Sequence, residues 1–153
     1  MKPFRAFAAV IALSTPLAAM DLPRNRSEEK QENPTEQMKA RLQGKWQAVK
    51  GEMAGEPMPA TVLEGMVITI KGNRIIHEGP GSDEAVTFEL NMRKSPAHID
   101  VTDKDKKTEL GIFRLDNDKF EVCVANTGDH HPMDFKSTKE NDSVHVIFKR
   151  KKK

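Results

Sequence analysis

From residue 44 onward, apolar and polar side chains alternate with a period of two, as expected of strands that bury one face. The alternation is cleanest over residues 84–91, where Val86, Phe88 and Leu90 face one way and Thr87, Glu89 and Asn91 the other. Trp46 and Ala48 alternate with Lys45, Gln47 and Val49 in a first strand. Further strands are predicted at 66–70, 74–77, 98–102, 109–115, 119–125 and 143–150. Lys71-Gly72-Asn73 and Asp116-Asn117-Asp118 are hairpin connections, and 103–107 is a charged turn. Residues 52–59 form a Gly/Pro-punctuated loop, 60–65 a helical turn and 126–138 the longest loop. No helical crossover separates these strands, which argues against a parallel sheet. An antiparallel meander of eight strands has two open edges, and closure removes both. The predicted fold is all-β: a small eight-stranded antiparallel up-and-down barrel.

A helical pattern precedes the barrel. Asn33 can cap, Pro34 suits the first turn, and Glu36 sits at the third helical position. Met38 and Leu42 share a face, and Gly44 ends the segment. This short helix is expected to cover one mouth of the barrel.

The first twenty residues are read separately. Lys2 and Arg5 precede an uncharged, largely apolar run over 6–19, with Ala18 and Ala19 at its end. The run is shorter than the roughly 20 residues that span a bilayer. It predicts a secretory signal over 1–20, and hence an exported protein with no transmembrane span after cleavage. Residues 21–33 are charged and poor in apolar groups, so they read as a flexible polar linker. The barrel domain covers 34–150, with a basic tail at 151–153.

Charge then removes one class of function. The chain has 25 Lys and Arg against 23 Asp and Glu, and the predicted signal carries two of the bases and no acid. The remainder is balanced, so no specific nucleic-acid role is expected. The run Lys149-Arg150-Lys151-Lys152-Lys153 could make weak electrostatic contact with anionic surfaces, though solubilising termini look the same. The single Cys123 cannot form an intrachain disulfide and lies between Val122 and Val124, which predicts a buried thiol.

Candidate chemistry is sparse. The inward faces carry mostly apolar side chains and bring together no base, nucleophile or carboxylate pair, so an enzyme is not expected and no cofactor is implied. Asp129-His130-His131 with Asp134 is the only local metal-like cluster. Its spacing lacks the usual ligand geometry; it reads as a solvated polar loop, with weak zinc binding as the alternative. His77, His98 and His145 read as surface histidines. Arg150 shares parity with Val144, Val146 and Phe148, and closure sets the last strand beside the first. A guanidinium–indole contact between Arg150 and Trp46 is therefore predicted at the barrel base, worth ~0.5–2 kcal/mol.

Several segments in order resemble a known family: Gly44-Lys45-Trp46, the loop around Gly55 to Pro59, Ile99-Asp100, Gly111-Ile112-Phe113, Cys123 and the Pro132 to Phe135 segment. The order is similar to a lipocalin-like domain of unknown function found in exported proteins of planctomycete-type bacteria. That pattern has Arg before the proline of the long loop, where this chain has His131. The resemblance implies a small barrel without catalytic residues, in which Val86, Phe88, Leu90, Val122 and Val146 would face a small apolar ligand. Gly44, Trp46 and Arg150 would close the base. Short strands with bulky inward side chains leave a second reading, a filled barrel serving as a structural or protein-interaction domain.

Overall fold

The structure, a computed structural model, describes residues 33–79, 84–126 and 130–152. The predicted signal and all of the linker but Asn33 lie outside these residues, as does Asp129. One helix, α1 (Pro34–Leu42), leads into the sheet. Thr35 N donates to the Asn33 side chain at 3.1 Å, so Asn33 caps the helix, and Pro34 occupies its first turn.

The strands are β1 (Gly44–Met53), β2 (Glu56–Pro57), β3 (Val67–Lys71), β4 (Arg74–Glu78) and β5 (Ala85–Asn91). They continue as β6 (Ala97–Thr102), β7 (Thr108–Asp116), β8 (Lys119–Ala125) and β9 (Ser143–Arg150), with a second short helix, α2 (Ala60–Gly65), before β3. All the pairings are antiparallel, and β1 also pairs with β9, from Trp46–Arg150 to Met53–Val144. Eight strands thus close into an up-and-down barrel, and the two-residue β2 is an outlying strand hydrogen-bonded to β1.

Two details depart from the sequence reading. The first strand runs on to Met53, through residues expected to be loop, because a bulge between Ala48 and Lys50 resets its alternation. Gly51 therefore opposes the inward Val146. A Cβ at Gly51 would lie 2.6 Å from Met58 Sδ and 3.1 Å from Leu63 Cδ2, so the bare glycine lets α2 and its approach pack against β1. The second departure is a layer outside the barrel: residues 130–142 cover the outer faces of β7, β8 and β9, as described below.

The core fills the lower barrel. Trp46, Phe88, Ile99 and Phe120 are at most 1% exposed. Phe120 is the hub, with ring centroids 5.7 Å from Trp46, 5.9 Å from Phe148 and 6.2 Å from Phe113. Burying an indole removes on the order of 200 Å² from water, or roughly 5 kcal/mol before entropy is counted. Among the described residues no helix is long and apolar enough to cross a membrane.

Candidate functional site

The barrel has two unlike ends. At the base, α1 runs into β1, and the last carbonyls of a helix need partners. Each carbonyl has one. Trp46 Nε1 donates to Leu42 O at 2.9 Å, and Gln43 Nε2 to Lys39 O at 2.9 Å. Arg150 Nη1 donates to Gln43 O at 2.6 Å and Nη2 to Arg41 O at 2.7 Å, while Nε reaches Asp118 Oδ1 at 3.2 Å. The same guanidinium lies over the Trp46 ring, Cζ 4.2 Å from the centroid. Gly44 adopts φ +121°, and a Cβ there would sit 3.1 Å from Arg150 Nη1. The structure thus brings Gly44, Trp46 and Arg150 together, and the base is sealed.

The other end opens into a cavity of about 240 Å³ inside the barrel. Val86, Val122 and Val146 line it, joined by Ile68, Ile75 and Phe148. Phe88 and Leu90 face the same interior but belong to the packed core below it. Twelve of the fifteen lining residues are apolar, and the polar three are His77, Glu109 and Asn126. These sit at the open ends of their strands: His77 pairs with Ile68, Glu109 with Val101, and Asn126 directly follows β8. Burial pushes the His77 imidazole below the ordinary histidine range, which favours its neutral form. His77 is exposed, as expected of a surface histidine, while also lining the rim; Glu109 and Asn126 fell at a strand edge and in a loop. The inward parity already falls on His77 and Glu109 within their predicted strands, and carrying the 119–125 strand one position further reaches Asn126.

The long loop builds a second polar cluster, on the outside of the barrel. His145 points outward as its parity predicts, yet it is only 8% exposed, correcting the surface reading. Phe135 packs 6.3 Å from its ring, and Arg114 Cζ lies 4.5 Å above Phe135. His145 Nε2 is 2.8 Å from Glu121 Oε1, and Arg114 Nε donates to Glu121 Oε2 at 2.5 Å. Burial alone would push the Glu121 carboxyl up, but the bonds from Arg114 and His145 outweigh it and hold it below its ordinary range. Cys123 is fully buried beneath the loop, its Sγ 3.8 Å from Lys136 O, and burial pushes its thiol up.

The loop is fastened at both ends. Ser137 Oγ donates to Ser143 O at 2.6 Å and accepts from Gly55 N at 3.1 Å. His131 Nε2 lies 2.6 Å from Asp100 Oδ1, and its ring stacks on His98 with centroids 3.6 Å apart. Burial first, and then the His131 ring, hold His98 below the ordinary histidine range. His131 thus acts as a fastening between loop and β6. Among the described residues no three His, Cys, Asp or Glu side chains converge as metal ligands. No family model, curated protein or solved structure matches the chain.

Proposed function

We propose that the protein is an exported, non-catalytic binding module that holds a small apolar ligand in its barrel. The observation that carries the reading is the apolar cavity of about 240 Å³, open at one end of a barrel sealed at the other. Ligand sites are concave, mostly apolar and fitted with a few orienting polar groups, which is the distribution found here. Its volume lies just under the ~300 Å³ at the small end of ordinary ligand pockets. The resemblance of Gly44-Lys45-Trp46 and the later segments to lipocalin-like exported domains supports the same reading, as does the signal-like pattern over residues 1–20.

One observation favours the filled-barrel alternative: Trp46, Phe88, Phe113 and Phe120 pack the lower interior solidly. A thermal melt with toluene separates the two. Dry apolar cavities of ~150 Å³ take up a benzene-sized molecule. Toluene at ten times its Kd should add about 1.4 kcal/mol, raising Tm by roughly 4–8 °C in a domain of this size. Val122→Phe, which fills the cavity from its wall, should abolish the shift. If wild type and V122F respond alike, the interior is not a container and the interaction-domain reading takes its place. Native mass spectrometry of protein purified from its own host would identify a retained ligand.

A further inference from the structure

We infer that the cavity takes a single-chain amphiphile of about eight carbons whose head donates hydrogen bonds, a hydroxyl or an ammonium, and that Glu109 at the rim turns away carboxylate heads. This rests on the container reading and adds the chemical class of the occupant.

The length follows from volume. At about 30 Å³ for each water-sized group, 240 Å³ holds roughly eight methylene-sized units. The walls are apolar from Phe120 and Phe148 at the bottom up to Val86, Val124 and Val144, so the chain of the ligand points down. Its head then lies at the rim, where the polar lining is confined to His77, Glu109 and Asn126.

The head follows from the chemistry of that rim. A carboxylate accepts only, a neutral imidazole offers one acceptor nitrogen, and an amide offers its carbonyl oxygen. Asn126 can either accept or donate, whereas the Glu109 carboxylate can only accept, so Glu109 sets the preference for a donor head. Among the described residues Glu109 forms no ion pair, and no lysine or arginine lines the cavity. Lys104, Lys106 and Lys107 lie on the adjoining turn outside the wall, and Lys104 is engaged by Glu84. A ligand carboxylate would meet Glu109 in a half-dry setting without a cation between them, and like charges so placed repel. A fatty acid is thus the wrong amphiphile for this cavity.

The test is isothermal titration of the full chain at pH 7 with 1-octanol, octylamine and octanoate, each below its solubility or micelle limit. Octanol and octylamine should bind at least about tenfold more tightly than octanoate, and all binding should vanish in Val122→Phe. Glu109→Gln should bring octanoate to within about threefold of octanol, and Glu109→Lys should make octanoate the preferred ligand. Glu109 is partly exposed, so both variants should fold, and circular dichroism checks this. Octanoate binding as tightly as octanol in wild type, or an unchanged ranking in both Glu109 variants, overturns the head-group rule while the toluene result still stands. If toluene and all three octyl probes fail to bind, the container reading itself has failed.

Discussion

At the scale of single residues, Arg150 and Glu121 carry more structure than their types announce. Arg150 satisfies two carbonyls at the end of α1 and covers the Trp46 ring at once. Lysine keeps the charge but not the planar fork. Arg150→Lys should therefore lose most of what Arg150→Ala loses, about 2–4 kcal/mol by urea denaturation. Glu121 works through its pKa, which lies below its ordinary value near 4.5 in the fold. Its contribution is complete above the unfolded value and fades as pH falls through the lowered folded one. Glu121→Gln should be about 1–3 kcal/mol less stable at pH 7, a range reduced because Arg114 is 61% exposed. Its stability should also fall less steeply than wild type below about pH 4.5, which denaturant melts across pH would show. The contact of Arg150 with Trp46 was legible because parity and closure set it. The Glu121–His145 pair was not, since alternation tells which way a side chain points and not what lies over it.

At the scale of elements, the strands were legible because one face of each is apolar, and the β1 bulge was not, because it breaks the period from which strands are read. The covering loop had no periodicity at all. Its order comes from particular bonds: Asn141 alone accepts from Thr138 N and Ser143 N and donates to Lys136 O. Cys123 beneath it makes loop opening measurable. In the native protein the thiol should react with a disulfide reagent on the order of a hundredfold more slowly than in the unfolded chain. His131→Ala or Asp100→Asn should speed that labelling without moving Tm by more than a few degrees, since only the loop's fastening to β6 is lost. Equal labelling rates in wild type and both variants would show that this contact does not hold the loop.

At the scale of the whole molecule, closure places the first and last strands side by side at the sealed base and leaves the cavity to the opposite end. Eight strands and their order could be read from the chain; the unfilled volume could not, because it depends on how inward side chains of several strands pack around one another. The toluene and octyl-probe experiments address the molecule at this scale. The core hub gives them an optical readout. The chain has one tryptophan and no tyrosine, so its near-ultraviolet emission comes essentially from Trp46, buried among rings and covered by a guanidinium. Phe120, 5.7 Å from that indole, also lines the cavity. The molecule therefore carries its own fluorophore one ring away from the cavity: blue-shifted when folded, red-shifted on unfolding, and placed to report the octyl-probe titrations without any attached dye.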